Sequence, residues 1–131
     1  MDMYTIVRPE YLNHFGSLFG GQMLKWVDEF AWLAAMRDWP KCTFVTRALD
    51  NVEFGEGVRN GSILRFAIDA VGCGRTSVNY AVTVFSRPPL QTTEKQVFNT
   101  TVTFVRVDEN GQSVSLPDAS SECLPPTPGH G

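Results

Sequence analysis

Residues 20–37, GGQMLKWVDEFAWLAAMR, are mostly apolar. The stretch contains no proline, and its run of Met, Leu, Trp, Ala and Phe predicts one helix of about 27 Å at 1.5 Å per residue. Pro40 follows and would end the helix. A surface helix normally has a polar half, whereas this one is apolar over most of its circumference. We therefore predict that other elements wrap around it.

Five segments rich in Val, Ile, Phe, Thr and Tyr predict strands, at residues 2–8, 43–54, 62–71, 75–86 and 97–107. Asn60-Gly61 is a tight-turn signal, and we expect it to join the second strand to the third, so that the last four strands form a meander. These elements predict an α+β fold, with a single antiparallel sheet curled around one long central helix. Because open sheet edges are normally covered or paired, we expect at least a homodimer.

Length, charge and cysteine content limit the class of protein. The 131 residues suit one domain, which we place at residues 1–116, and the Pro-, Ser- and Gly-rich residues 117–131 predict a disordered tail. A net charge of −3 lacks the basic excess that nucleic-acid binding needs. No segment resembles a membrane span or a signal peptide, so we expect a cytoplasmic protein without a membrane partner. The three scattered cysteines predict neither a disulfide framework nor a metal site.

A narrow polar stripe interrupts the apolar surface of the predicted helix, formed by Gln22, Lys25, Asp28 and Glu29. One interpretation is a slim solvated face with a Lys25/Glu29 ion pair. However, Trp32 and Met36 continue the same stripe, and both are apolar. This pattern favours a carboxylate among apolar neighbours, an environment that suits a general base or a nucleophile.

The start of the helix predicts a site for a developing negative charge. Gly20 and Gly21 lack side chains, so backbone N–H groups at the positive end of the helix dipole are exposed. On the preceding loop, the Asn13 amide would either orient water or a carbonyl oxygen, or cap a turn. Gly21 and Asp28 lie about 10 Å apart along the helix, too far for one small carbonyl group. We therefore predict a site shared across a dimer, with Asn13 and Gly21 from one protomer and Asp28 from the other.

The order Asn-x-x-Gly-x-x-Phe-Gly-Gly-x-x-Leu-x-Trp-x-Asp-Glu, at residues 13–29, resembles the signature of hot-dog-fold acyl-CoA thioesterases of YciA type. Three segments further along the chain are similar to other segments of that family: FVTRALDNVEFGEGVRNGSIL, GCGRTSV and FVRVDENGQ. Related thioesterases of another branch have a His before the Gly-Gly pair, where this chain has Phe19. The similarity spans about residues 4–117.

The resemblance implies hydrolysis of acyl-CoA to a free acid and coenzyme A, with no metal and no further cofactor. It implies a homodimer, and in many members three dimers join as a hexamer. Asp28 matches the acidic catalytic residue, Asn13 the amide that positions water or substrate, and Gly21 the backbone donor to the thioester oxygen. Gly20 would permit close approach of the substrate. Residues matching the segment that contacts coenzyme A are Gly74, Arg75, Thr76 and Ser77, with Arg59 as an added charge.

Other functions remain open on the same fold. A non-catalytic acyl-CoA-binding module would need the pocket but not Asp28. A dehydratase acting on hydroxyacyl-CoA would need a catalytic His, for which His14 is the one candidate before the helix. The sequence sets neither the acyl chain length nor the choice between nucleophile and general base for Asp28.

Overall fold

A computed structural model describes residues 1–117 of the chain. The elements are β1 (Asp2–Ile6), a 3-10 turn (Pro9–Tyr11), α1 (Gly20–Asp38), β2 (Thr43–Phe54), β3 (Ile63–Cys73), β4 (Ser77–Arg87) and β5 (Lys95–Val107). The predicted helix and strands all form, with ends within two residues of the expected positions. The predicted disordered tail lies outside the described residues, apart from Pro117 at its start.

Within residues 1–117 the strands form one antiparallel sheet in the order β1-β3-β4-β5-β2. β3, β4 and β5 form a meander, but the prediction that β2 precedes β3 in it is wrong, because β2 pairs with β5 along its length. The Asn60-Gly61 turn does form, with Gly61 at φ +83°. The segment before this turn is not β2, however, because β2 ends at Phe54. Arg59, just before the turn, instead forms an isolated antiparallel β-bridge with Ser17. The Asn60-Gly61 pair therefore predicts the position of the turn but not the segment that precedes it.

α1 packs on one face of this sheet, against the inward side chains of the strands. Its buried residues are Met23, Trp26, Val27, Ala31, Ala34 and Ala35. Phe66 of β3 meets Trp26 and Phe30 edge to face, with ring centroids 6.3 and 4.9 Å apart. On the side away from the sheet, the helix exposes Gly21, Lys25, Glu29, Leu33 and Arg37. Within residues 1–117, the helix is therefore buried against the sheet on one side and exposed on the other.

Tyr80 of β4 anchors the C-terminal end of α1 to the sheet. Its hydroxyl donates a hydrogen bond to Asp38 Oδ2 at 2.8 Å, and Arg37 donates to Asp38 Oδ1 at 3.0 Å. The Tyr80 side chain is buried. Burial, and then the hydrogen bond to Asp38, raises the pKa of the Tyr80 phenol well above its usual range.

We expect Tyr80→Phe to lower the free energy of unfolding by about 1–2 kcal/mol at neutral pH, because Asp38 loses a buried donor. The phenol ionises near pH 10 in the unfolded state but at higher pH in the folded state. Its contribution is therefore complete below about pH 10 and declines as the pH rises further. Urea unfolding of both proteins at about pH 7 and about pH 11 should show the stability difference narrowing at the higher pH. A difference that stays constant would contradict this assignment.

Candidate active site

The first turn of α1 presents unused backbone donors. The Phe19 carbonyl accepts hydrogen bonds from the N–H groups of Gln22 and Met23, at 3.0 and 3.3 Å. The N–H groups of Gly20 and Gly21 have no acceptor within the described part of the chain. Because these donors lie at the positive end of the helix dipole, they suit a carbonyl oxygen or an oxyanion.

An aromatic ring lies beside each of the two glycines, and at Gly21 it occupies the space that a side chain would need. A Cβ atom at Gly21 would lie 2.5 Å from the nearest ring carbon of Phe19. A Cβ atom at Gly20 would lie 3.6 Å from the ring of Phe54, which is an ordinary contact distance. Glycine at position 21 therefore makes room for a ring of the same chain.

Asn13 fixes the loop that leads into the helix. Its Oδ1 accepts hydrogen bonds from the backbone N–H groups of Phe15 and Ser17, at 2.9 and 3.2 Å. Both partners are donors, so the amide oxygen is occupied, and the amide nitrogen has no acceptor within residues 1–117. Asn13 is thus a turn cap whose Nδ2 still has hydrogen atoms to donate to a ligand.

Asp28 lies half-buried in the middle of α1, facing β2. Its Oδ1 accepts a hydrogen bond from Thr46 Oγ1 at 2.5 Å. One turn later, Trp32 Nε1 donates to the backbone carbonyl of Phe44 at 3.1 Å, which joins the same helix face to the same strand. Glu29 is exposed, as expected for a residue rotated 100° around the helix from Asp28. The helix therefore directs one carboxylate of the pair toward β2.

Thr46 is not among the site residues that the sequence predicts. By register it lies opposite Phe104 of β5, on the face of the sheet that packs against the helix. A polar residue at an inward position of a strand is a signal that could have pointed to it. Thr46 is exposed, because β2 is the last strand of the sheet within the described residues. The Asp28–Thr46 pair therefore lies at an open sheet edge.

The segment Gly74–Ser77 forms the turn between β3 and β4. The turn is closed by a hydrogen bond from the Gly74 N–H to the Ser77 carbonyl at 2.9 Å. Arg75 is exposed, and its guanidinium donates to Ser115 Oγ at 3.0 Å. Thr76 and Ser77 are half-buried. The turn thus offers hydroxyl groups and one exposed cation to a ligand.

Arg59 lies at the other end of β3 from this turn, beside the loop before α1. β3 has 11 residues, which corresponds to about 35 Å at 3.3 Å per residue. One chain therefore places Asn13, Gly20, Gly21 and Arg59 at one end of the sheet and Gly74–Ser77 at the opposite end. Within residues 1–117, the predicted site residues therefore do not all lie together in one copy of the chain.

The remaining candidate groups for chemistry are metal ligands, a histidine and a cysteine thiol. The described residues contain no group of three or more side chains placed to hold a metal ion. His14 is exposed, with its ring centroid 4.0 Å from that of Phe15. Burial raises the pKa of the Cys42 thiol, which disfavours the reactive thiolate. Among residues 1–117, no helix combines the length and hydrophobicity needed to cross a membrane.

Comparison with known sequences connects this arrangement to one family. The model of the thioesterase superfamily matches residues 15–93. The acyl-CoA thioester hydrolase YkhA of Bacillus subtilis is 30% identical over 112 residues, which cover 85% of this chain and 64% of YkhA. The acyl-CoA thioester hydrolase ZMO0511 of Zymomonas mobilis is 30% identical over 113 residues, which cover 86% and 75%. Mouse acyl-coenzyme A thioesterase 11 is 29% identical, but the matched part is 18% of that much longer protein.

Several solved structures that are similar to this chain are also thioesterases or acyl-CoA hydrolases. A hexameric acyl-CoA thioesterase in its apo form is 32% identical, with a TM-score of 0.82 over 89% of this chain and 74% of that one. The acyl-CoA hydrolase of Staphylococcus aureus, solved with butyryl coenzyme A, coenzyme A and coenzyme A disulfide, is 25% identical, with a TM-score of 0.80 over 89% and 71%. The hexameric thioesterase y2039 of Yersinia pestis, at 22% identity and a TM-score of 0.81 over 88% and 93%, shares the fold. The chain belongs to the thioesterase superfamily and has its hot-dog fold.

Proposed function

We propose that this protein hydrolyses acyl-CoA thioesters to a carboxylic acid and coenzyme A. The observation that carries the proposal is the Asp28 carboxylate, which a hydrogen bond from Thr46 orients beside an open strand. Oδ2 of Asp28 has no partner within the described residues and is available for a water molecule or a thioester carbon. Relatives in the same family are named as acyl-CoA thioester hydrolases, which supports this substrate class.

The proposed site is shared by two copies of the chain. One copy supplies the Asn13 amide and the Gly21 N–H to the thioester oxygen, and the other supplies Asp28. A backbone donor of this kind typically stabilises the developing negative charge by about 3–4 kcal/mol. The open edge of β2, next to Asp28, supports a second copy at this position. The hexameric state of two solved relatives is compatible with such a dimer and with a hexamer here.

Coenzyme A is proposed to contact the turn Gly74–Ser77 and Arg59. Because these residues lie at opposite ends of one sheet, a second copy would have to place its turn near Arg59 and the helix start of the first. Arg59 and Arg75 supply the positive charge that phosphate groups require, in a chain that is acidic overall. We propose that the reaction takes place in the cytoplasm, because coenzyme A thioesters there would reach the protein without crossing a membrane.

Thr46→Val tests the orientation of the carboxylate. The substitution removes the hydroxyl donor to Asp28 and keeps the shape of the side chain. We expect kcat for acyl-CoA to fall about tenfold. A misdirected carboxylate would attack the thioester carbon less often as a nucleophile, or activate a water molecule less often as a general base. The free energy of unfolding should change by less than about 1 kcal/mol, since Thr46 is exposed. Steady-state kinetics and urea unfolding of the same preparation measure both effects, and an unchanged kcat would contradict the role of Thr46.

The experiment that tests the function is thiol release from acyl-CoAs of short to long chain length, followed with a disulfide reagent. The proposal predicts release by the wild-type protein, and the panel would rank the acyl chains. Tight acyl-CoA binding without release from any member of the panel would contradict hydrolysis. That result would favour a non-catalytic acyl-CoA-binding module on the same fold.

A further inference from the structure

Phe19 places a large ring against the first turn of α1. The ring lies so close to Gly21 that a side-chain carbon there would come within 2.5 Å of it. Its backbone is fixed, because the Phe19 N–H donates to the Tyr11 carbonyl at 2.9 Å and its carbonyl accepts two hydrogen bonds from the helix. The side chain is nevertheless 57% exposed. The backbone of Phe19 is thus held in place, and its ring lies at the surface beside the free donors of Gly20 and Gly21.

Phe54, at the end of β2, places a second ring beside the same glycines. It lies 3.6 Å from the position that a Cβ of Gly20 would take, and it meets Phe98 edge to face with centroids 4.9 Å apart. The next residue, Gly55, donates its N–H to the Val97 carbonyl at 2.6 Å, so the strand end is closely held. Phe54 is 56% exposed in spite of these contacts. Two partly exposed rings therefore lie beside one pair of backbone donors.

Apolar rings beside unused N–H groups suit a ligand that is apolar on both sides of a polar atom. A thioester has this form, because methylene groups flank its carbonyl through the acyl chain and through the sulfur. Such a ligand would cover both rings and remove water from the donors. Hydrogen bonds to a developing oxyanion strengthen when water is excluded, because the local dielectric constant falls.

We propose that Phe19 and Phe54 are positioning residues of the thioesterase reaction, which hold the methylene groups on either side of the thioester and exclude water from the N–H groups of Gly20 and Gly21. This inference rests on the proposed function. It also explains the glycine at position 21, where the missing side chain accommodates the ring of Phe19. Substrate approach alone would not require a ring at that place.

The first test compares Phe19→Ala and Phe54→Ala with Phe15→Ala as the matched control. Phe15 lies on the loop before the helix, is 80% exposed, and packs on His14. We expect each test variant to lower kcat about tenfold, because the oxyanion is then solvated. The Kd for coenzyme A, which has no thioester carbonyl, should change less than about threefold. Phe19→Leu should restore most of the activity, because an apolar side chain again covers Gly21.

The second test separates a place for the ring from a place for the substrate at Gly21. Gly21→Ala should lower kcat strongly in the wild-type background, because the added methyl group displaces Phe19. In the Phe19→Ala background the same change should have an effect about fivefold smaller, as expected for two side chains that compete for one space. Equal effects in both backgrounds would overturn the explanation for Gly21.

The outcomes distinguish this inference from the proposed function. Wild-type hydrolysis together with test variants as active as Phe15→Ala would overturn the role of the two rings alone. Loss of coenzyme A binding to the same extent as loss of kcat would overturn it as well, because the rings would then be ordinary binding contacts. No thiol release by the wild-type protein would overturn both.

Discussion

Asp28→Asn is expected to lower kcat for acyl-CoA about a hundredfold or more, the usual effect of removing a positioned acid or base. Asparagine has nearly the same shape as aspartate, and its amide oxygen can still accept the hydrogen bond from Thr46. It is neither a base nor an effective nucleophile toward a thioester carbonyl. Structure and coenzyme A binding should therefore remain while turnover is lost. Steady-state thiol release and a binding titration with coenzyme A measure the two properties separately.

Glu29→Gln is the matched control for that experiment. Glu29 is the next residue of the same helix, and it is exposed on the side of the helix that faces away from the sheet. Its replacement should leave kcat within about twofold of wild type, as for a solvated surface carboxylate. Loss of activity in Glu29→Gln with retention in Asp28→Asn would transfer the catalytic role to the neighbouring residue.

Phe66→Ala is expected to lower the free energy of unfolding by about 3–5 kcal/mol, the usual cost of deleting a buried ring. Phe66 is completely buried, and its ring contacts both Trp26 and Phe30 of the helix. The substitution therefore leaves a cavity where the helix meets the sheet. Since small domains have a total stability of about 5–15 kcal/mol, this loss is a large share of it. Urea unfolding followed by tryptophan fluorescence measures the change.

The control for this prediction is Phe15→Ala, a phenylalanine that is 80% exposed. We expect its free energy of unfolding to stay within about 0.5 kcal/mol of wild type. Phe66→Leu provides an intermediate step that keeps most of the packing, with an expected loss of about 1–2 kcal/mol. Equal stability of Phe66→Ala and Phe15→Ala would contradict the burial of the Phe66 ring.

The elements of the fold follow from local sequence patterns, whereas one strand pairing does not. Alternation of apolar residues in 77–87 and the apolar stretch from Gly20 identify β4 and α1, because period and burial are local properties. The position of β2 beside β5 depends on contacts between residues far apart along the chain, such as Thr43 with Val107 and Phe54 with Phe98. The turn signal at Asn60-Gly61 carries no information on such distant partners.

The candidate site shows the same division. Asp28 and the glycine pair are visible in the sequence because their residue types contrast with the apolar helix around them. Phe19 and Phe54 are recognised only through contacts between elements, since an isolated phenylalanine is common in any strand or loop. The inward position of Thr46 in its strand is a weak signal in the sequence, and its role becomes clear only from its contact with Asp28. The turn-capping bonds of Asn13 likewise needed coordinates, because the sequence allowed both a cap and a ligand contact.

The shared site is tested most directly by complementation between Asn13→Ala and Asp28→Asn. Each variant alone should have little activity, because both copies of the site lack one residue. Mixed dimers contain one site with Asn13 from one chain and Asp28 from the other, so random co-assembly should restore about a quarter of wild-type activity. Activity that stays at the average of the two separate variants would contradict a site built from two chains and would place Asn13 and Asp28 in a single subunit.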